Sequence, residues 1–218
     1  MSAAAPRPRR IVIVRHAETL DNAARIWQGH ADTELSEAGQ IQVTSAAPLV
    51  AAYEPALLVS SDLKRAAATA DAVAVLTGLE LRLDARLREV HVGEWQGLTA
   101  HEVTTGYPDL VAALERGEDA PKGVTGETRA EVARRAGAAV LDIVRELGQG
   151  ETAVVVAHGV SARAATAELV GLDQGIADRV LRSLDNCHWA ELVEVGKSHS
   201  GRALRWRIAG WNLGPSVA

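Results

Sequence analysis

The sequence predicts an α/β protein built on a buried parallel sheet, and three observations support that class. Residues 11–14 are four consecutive β-branched apolar residues, and residues 151–157 contain a second apolar run. Continuous runs of this kind are typical of strands buried on both faces of a parallel sheet. Ala-rich segments with helix-capping residues lie between the apolar runs, which is the alternation expected of an α/β fold.

The separate elements follow from capping residues and apolar patterns. Ser36 is a candidate N-cap, and Thr128 with Glu131 forms a T-x-x-E capping box, so each predicts the start of a helix. The predicted helices begin at Ser36, Lys64, Thr128 and Ser161 and end near residues 53, 76, 147 and 170. The predicted strands are 11–14, 57–61, 79–83 and 151–157, followed by a hairpin of 189–195 and 203–208 with its turn near 197–201. Residues 21–33 and 86–97 are predicted loops.

Length and composition indicate a single domain. The chain has 218 residues, 47% of them apolar and 23% charged, which is ordinary for a globular protein. We expect one domain over residues 11–218, with a small insertion near 99–125 that lies over one edge of the core. Residues 1–10 are predicted to form a disordered tail in which Arg7, Arg9 and Arg10 are solvated.

Several classes of function and location are disfavoured. A net charge of −5 argues against a general nucleic-acid-binding protein, which needs a broad basic surface. Cys187 is the only cysteine, so neither an internal disulfide nor a thiolate metal cluster is possible. No apolar stretch is long enough to cross a bilayer, and the basic N-terminus lacks the apolar segment of a signal peptide. We therefore expect a cytoplasmic protein with no membrane partner.

The chemistry depends on two predicted strands that each end in histidine, His16 and His158. If the strands are parallel neighbours, both imidazoles emerge at the same edge of the sheet, where α/β proteins bind ligands. Arg15 and Arg65 supply guanidinium groups suited to phosphate, and Glu89 lies in a loop where it could act as a proton donor. This combination favours phosphoryl transfer with a histidine nucleophile.

Each residue alone also has a structural interpretation. A strand-end histidine is more often structural than catalytic, and Arg65 or Glu89 alone would ordinarily be a solvated charge or a helix cap. Zinc binding by the two histidines is a further alternative, but the neighbouring arginines would repel a cation. We therefore expect no metal.

The ordered motifs resemble those of the histidine phosphatase superfamily, also called phosphoglycerate-mutase-like. The R-H-G-E-T signature of that family stands here as residues 15–19, with Ala17 in place of glycine, a mild departure. The other matching blocks are Asn22 with Gln28-Gly29, residues 35–39, residues 60–66 with Thr69-Ala70, residues 87–89 with 93–97, residues 126–128, and residues 156–159. The likeness covers roughly residues 11–195, and an ordered set of this size is far more specific than any single motif.

The resemblance implies a three-layer α/β/α sandwich with a mostly parallel central sheet, and it implies roles for individual residues. His16 would be the nucleophile that becomes phosphohistidine, and Glu89 would be the general acid and then the base. His158 would complete the catalytic set within the phosphate pocket. The other implied phosphate-binding residues are Arg15, Arg65, Asn22, Gln28, Gly29 and Gly159, the last three through their backbone. Neither a metal nor a cofactor is implied.

Phosphatase activity is favoured over mutase activity. Cofactor-dependent mutases of the family have a longer insertion between the Glu89 block and the second histidine, and that region is short here. Water should therefore reach the phosphohistidine and hydrolyse it. Local stretches including residues 32–37, 59–63 and 87–99 are similar to the actinobacterial glucosyl-3-phosphoglycerate phosphatases, which suggests a small phosphorylated metabolite as substrate.

Three alternatives stay open at this point. They are a cofactor-dependent phosphoglycerate mutase, a phosphatase of broad specificity, and a non-catalytic module that binds phosphorylated ligands. A homodimer formed through the closing strands or the insertion near 99–125 is a further hypothesis.

Overall fold

The computed structural model describes residues 7–195 and 206–215, which form a six-stranded sheet with helices on both faces. The strands are β1 (Arg10–Arg15), β2 (Leu57–Ser60), β3 (Leu81–Leu83), β4 (Thr152–Ala157), β5 (Trp189–Glu194) and β6 (Trp206–Leu213). Their order across the sheet is β3-β2-β4-β1-β5-β6. Strands β3, β2, β4 and β1 run parallel to one another. Strand β5 is antiparallel to β1, and β6 is antiparallel to β5. The prediction of a mostly parallel sheet is therefore confirmed.

The helices form the two outer layers. They are α1 (Leu20–Ala23), α2 (Glu37–Ala51), α3 (Lys64–Thr77), α4 (Ala100–Gly106), α5 (Pro108–Glu115), α6 (Arg129–Glu146), α7 (Gly159–Val170) and α8 (Gln174–Val180). Helices α2 and α3 pack together against one face of the sheet, and α6 and α7 pack together against the other. Alternate residues of a strand point to opposite faces, so Val12 and Val14 contact the first pair while Ile11 and Ile13 contact the second.

The register of β1 and β4 places the two strand-end histidines side by side. The strands are parallel neighbours, and Arg15 lies opposite Ala157 at the end of the ladder. The amide of His16 then donates to the carbonyl of Ala157 over 3.0 Å. His16 and His158 therefore leave the sheet at the same edge, as the strand pattern predicted.

The N-terminal boundary of the domain was predicted wrongly. Arg10 begins β1, and its Nε lies 2.9 Å from Glu191. Arg9 donates from Nε and Nη2 to the two carboxylate oxygens of Glu194, each over 2.8 Å, and is largely buried. Both arginines are thus paired with carboxylates of β5, and Arg9 is largely buried while the Arg10 side chain stays 37% exposed. Arg7 and Pro8 are exposed, as predicted for the tail, and residues 1–6 lie outside the described residues.

Other differences concern short elements. Helices α1 and α8 were not predicted, because neither is long enough to show an apolar period. The last strand runs to Leu213, beyond the predicted end at 208, and the predicted turn at 197–201 lies outside the described residues. The insertion at 99–125 consists of α4 and α5, divided at Tyr107 and Pro108 as its breakers indicated. No helix in the described part of the chain is long and apolar enough to cross a membrane.

Candidate active site

The two strand-end histidines form the centre of the candidate site. The rings of His16 and His158 are both buried, and their centroids lie 4.9 Å apart with a tilt of 59°. His16 follows β1, and His158 is the N-cap residue that joins β4 to α7. Two central strands, held by the ladder between them, thus fix the positions of both rings.

Hydrogen bonding determines the tautomer of His16. Its Nδ1 lies 2.6 Å from the carbonyl oxygen of Ala17, and because a carbonyl only accepts, Nδ1 must carry the proton. Burial, followed by the charges of Arg65 and Arg15, holds the pKa of His16 well below its usual value. The ring is therefore neutral, and its Nε2 lone pair has no protein partner among the described residues. An imidazole in this state is ready to act as a nucleophile.

His158 is neutral as well, but both of its ring nitrogens are engaged. Its Nδ1 accepts from Nε of Arg65 over 3.2 Å, and its Nε2 lies 2.9 Å from Oγ of Ser61. Since a guanidinium only donates, the proton of His158 is on Nε2 and points to Ser61. Burial and the charge of Arg65 keep the pKa of His158 well below its usual value. Both ring nitrogens of His158 are therefore used in hydrogen bonds to Arg65 and Ser61, and neither is free to bind a ligand.

Two buried arginines give the site its positive charge. Arg65 donates to the carbonyls of Ala31 over 2.7 Å and Gly29 over 2.9 Å, which leaves further N–H groups of its guanidinium uncommitted. Arg15 donates to the carbonyl of Leu184 over 2.5 Å, while its buried Nε has no hydrogen-bond partner in the described chain. Burial lowers the pKa of both arginines. Desolvated guanidinium groups with free donors favour an anionic ligand.

The carboxylate of Glu89 lies at the N-terminus of α7. It accepts from the backbone N–H groups of Val90 over 2.9 Å and of Val160 and Ser161 over 3.2 Å. The guanidinium of Arg135 also donates to the carbonyl oxygen of Glu89 over 2.8 Å. The side chain and backbone of Glu89 are thus both held, which gives a potential proton donor a defined position.

A cavity of about 300 Å³ opens in front of these groups. Most of the predicted site residues line it, namely Arg15, His16, Asn22, Gln28, Gly29, Arg65 and Glu89, together with Arg25, Ile26, Trp27, Val90, Val92, Ala100 and Val160. His158 and Gly159 are buried and are not among the residues that line the cavity. A side chain at Gly159 would place its Cβ 2.9 Å from Oγ of Ser183 and 3.6 Å from a carboxylate oxygen of Glu89, so the position favours glycine.

The two predicted amide side chains present free donors to the cavity. Oδ1 of Asn22 accepts from the backbone N–H of Thr19 over 3.2 Å and from Nδ2 of Asn186 over 3.3 Å. Oε1 of Gln28 accepts from the hydroxyl of Thr33 over 2.6 Å. Because the oxygens are occupied, the NH₂ groups remain for a ligand. At Gly29 the carbonyl is bound to Arg65, and φ is +54°.

Several residues that support the site were not predicted from the sequence. Asn186 donates to the carbonyl of His16 over 2.9 Å, Thr69 accepts from the amide of Ala17 over 3.0 Å, and Ser61 contacts His158. Ser61 and Thr69 lie in sequence blocks that match the family motifs. The motifs therefore pointed to both residues, but no role could be assigned to either from the sequence. Asn186 lies in the loop before β5, where no local pattern distinguished it. These residues hold the backbone and rings of the site.

A neutral histidine with a free nitrogen, two buried arginines and a fixed carboxylate are suited to phosphoryl transfer. Comparison with known proteins gives the same class: the family model for the histidine phosphatase superfamily, branch 1, matches residues 11–209. The chain belongs to the histidine phosphatase superfamily. The family predicted from the ordered motifs is therefore confirmed.

Individual relatives cover almost the whole chain. A glucosyl-3-phosphoglycerate phosphatase of Mycolicibacterium vanbaalenii is 38% identical over 97% of this chain and 98% of its own length. A probable phosphoglycerate mutase of Yersinia pestis is 34% identical over 92% of this chain and 89% of its own. The solved structure of a mycobacterial glucosyl-3-phosphoglycerate phosphatase complexed with VO3 is 37% identical, with a TM-score of 0.84 over 94% of this chain and 98% of that one. The two similarities to glucosyl-3-phosphoglycerate phosphatases support the phosphatase branch of the family.

Proposed function

We propose that this protein hydrolyses a small phosphate monoester through a phosphohistidine formed on His16. The observation that carries the proposal is the hydrogen bond from Nδ1 of His16 to the carbonyl of Ala17, because it leaves the Nε2 lone pair unbonded. His16 lines the same cavity as Arg15 and Arg65. A phosphoryl group held by the two guanidiniums would therefore meet a neutral nucleophile.

In the first step, Nε2 of His16 attacks phosphorus as the ester oxygen leaves. The new bond is N–P, the broken bond is P–O, and a proton from the carboxyl of Glu89 passes to the departing alcohol. Arg15, Arg65 and the NH₂ group of Asn22 hold the phosphoryl oxygens. His158 contributes indirectly, since it contacts the ring of His16 and accepts from Arg65.

In the second step, water attacks the phosphorus of the phosphohistidine. Glu89, now a carboxylate, takes a proton from the water as the P–O bond forms and the N–P bond breaks, so inorganic phosphate is released. His16 returns to its neutral form. The cycle requires neither an oxidant nor a reductant, and the protein's own cations balance the charge of the phosphoryl group.

Glucosyl-3-phosphoglycerate is our first candidate substrate. The support is the 38% identity, over nearly full length, to relatives that are named for hydrolysing it. The second candidate function is phosphoglycerate mutase activity, which the 34% identity to probable mutases favours. In the mutase case, the phosphohistidine would pass its phosphoryl group to a second hydroxyl before water reached it.

We also propose a cytoplasmic location and a homodimer, both of which were predicted from the sequence. The buried, unpaired thiol of Cys187 is compatible with a reducing compartment. Light scattering coupled to gel filtration would test the dimer, since a mass of about 23.0 kDa would contradict it and twice that mass would support it.

The decisive experiment measures phosphate release from p-nitrophenyl phosphate, 3-phosphoglycerate, glucosyl-3-phosphoglycerate and glucose 6-phosphate. The enzymes are the wild type, His16→Ala, and the control His101→Ala at an exposed histidine of α4. We expect release by the wild type and control and none by His16→Ala. Equal activity in His16→Ala would overturn the proposal, and interconversion of 2- and 3-phosphoglycerate without release would favour the mutase. No turnover of either kind would favour a binding module.

A further inference from the structure

Arg135, on α6, binds the backbone of the irregular segment that carries Glu89. Residues 88–92 belong to neither a helix nor a strand. Nη1 of Arg135 donates to the carbonyls of Arg86 over 2.8 Å and Arg88 over 2.6 Å. Its Nη2 donates to the carbonyl of Glu89 over 2.8 Å. One guanidinium thus supplies hydrogen bonds that a helix or a sheet would supply to a regular segment.

Glu127 fixes the orientation of this guanidinium. Its two carboxylate oxygens accept from Nε and Nη2 of Arg135, each over 2.7 Å, in a bidentate pair. Glu127 is also bound to the segment that follows Glu89, because Oε2 accepts from the amide of His91 over 2.8 Å. The side chains of Arg135 and Glu127 are only 20% and 22% exposed, so water competes little with the pair.

His30 provides a second donor to the carbonyl of Glu89. Its Nε2 lies 2.7 Å from that oxygen, and because a carbonyl only accepts, Nε2 must carry the proton. Two side chains from different parts of the sequence therefore hold the backbone of Glu89, while amides at the start of α7 hold its carboxylate. The position of the carboxylate in the cavity depends on both sets of contacts.

Arg135 itself does not face the substrate. Among the described residues, those that line the catalytic cavity include Glu89 but not Arg135, which lines a separate depression together with His30 and Glu127. Apart from its charge, Arg135 can therefore influence the reaction only through the residues that it contacts.

We infer that Arg135, oriented by Glu127, is a positioning residue that holds Glu89 where it can protonate the leaving oxygen. The inference rests on the proposed function, because it requires that Glu89 be the acid of the first step. In that step the proton moves from the carboxyl of Glu89 to the ester oxygen as the P–O bond breaks, and Arg135 keeps all its protons. Since proton transfer requires hydrogen-bond contact, a small displacement of Glu89 should slow it strongly.

The test compares two substrates that differ in their need for a proton. Phenyl phosphate and p-nitrophenyl phosphate share the phosphate and the ring, but nitrophenolate leaves readily without protonation and phenolate does not. For each substrate, kcat/KM covers the steps up to departure of the alcohol. The ratio of the two values, p-nitrophenyl over phenyl, therefore reports the use of the acid. Because both substrates meet the same enzyme sample, the ratio does not change if a variant is partly unfolded.

Arg135→Met should lower kcat/KM for phenyl phosphate about tenfold or more and that for p-nitrophenyl phosphate less than about threefold, which raises the ratio. Arg135→Lys should raise the ratio as well, because an ammonium keeps the charge but cannot reproduce the bidentate pair and the carbonyl contacts. Arg134→Met, at the exposed neighbouring arginine of α6, is the matched control and should keep the wild-type ratio.

Glu89→Gln shows whether Arg135 acts through Glu89. This variant should raise the ratio at least as much as Arg135→Met, since the amide donates no acidic proton. Addition of Arg135→Met to Glu89→Gln should then leave the ratio unchanged, because two changes that affect the same proton transfer are not additive.

Three results would overturn the inference. They are a wild-type ratio in Arg135→Met, a wild-type ratio in Arg135→Lys when Arg135→Met raises it, and a further rise when Arg135→Met is added to Glu89→Gln. The proposed function has a separate outcome. A wild-type ratio in Glu89→Gln would refute the acid role of Glu89 and the positioning role with it, whereas a raised ratio there and a wild-type ratio in Arg135→Met would refute only the role of Arg135.

Discussion

Nε of Arg65 donates a hydrogen bond to Nδ1 of His158 over 3.2 Å, so this buried arginine is bonded to the histidine whose ring lies beside that of His16. This bond assigns the proton of His158 to Nε2, which faces Ser61. His16, His158 and Arg65, the residue proposed to bind the phosphate, therefore form one buried unit, and a change at one of them should affect the others.

Arg65→Lys should be severely defective although it conserves charge. The guanidinium of Arg65 reaches Ala31, Gly29 and His158 at the same time, and a single ammonium cannot reproduce that geometry. We expect kcat/KM for p-nitrophenyl phosphate to fall on the order of 10²-fold or more. Arg82→Lys, at a half-exposed arginine of β3 paired with Glu146, is the control and should be near wild type. Similar activity in the two variants would contradict the assignment of Arg65.

Asn186→Asp should weaken binding of phosphate-containing ligands. The Nδ2 group of Asn186 donates to the carbonyl of His16 and to Oδ1 of Asn22, and a carboxylate at this position would present an acceptor to two acceptors. We expect Asn22 to turn and KM to rise about tenfold, with a smaller change in kcat. Steady-state kinetics measures both constants. An unchanged KM would mean that the orientation of Asn22 does not depend on Asn186.

The main strands and their histidines could be predicted because the determinants are local. An apolar run of β-branched residues specifies a buried strand, and parallel pairing then brings strand ends together without further information. Ser36 and Thr128 cap α2 and α6 as predicted, since capping depends on residues within one turn. The apolar runs and the capping residues were therefore enough to predict the main strands and the longer helices.

The supporting contacts could not be predicted, because they depend on the path of distant segments. Asn186 and His16 are far apart in the sequence and meet only when β5 pairs with β1. Arg9 appeared to be a solvated tail residue because nothing local indicates Glu194 as its partner. Ala17 shows the opposite case: its φ is not positive, so alanine fits where the family signature has glycine.

Chelators should leave the activity unchanged. The proposed mechanism places the charge of the phosphoryl group on Arg15 and Arg65, and it needs no metal-bound water. No cluster of three or more candidate ligands occurs among the described residues. We expect activity after dialysis against EDTA to equal that of the untreated enzyme. Strong inactivation that a divalent metal reverses would refute the mechanism.

The stability of the protein should fall as the solution becomes acidic, starting near neutral pH. In the unfolded chain His16 and His158 take up protons near their ordinary pKa of about 6.5, whereas burial and the adjacent arginines hold both pKa values well below this in the folded protein. Below pH 6.5 the unfolded state therefore binds more protons, so the free energy of unfolding is greatest above 6.5 and declines as the pH drops, by up to about 1.4 kcal/mol per pH unit for each histidine. Urea denaturation at pH 7.5, 6.5 and 5.5 measures this slope, and His16→Ala should reduce it because the contribution of His16 is removed. A free energy of unfolding that stays constant from pH 7.5 to 5.5 would show that the two imidazoles are not held neutral.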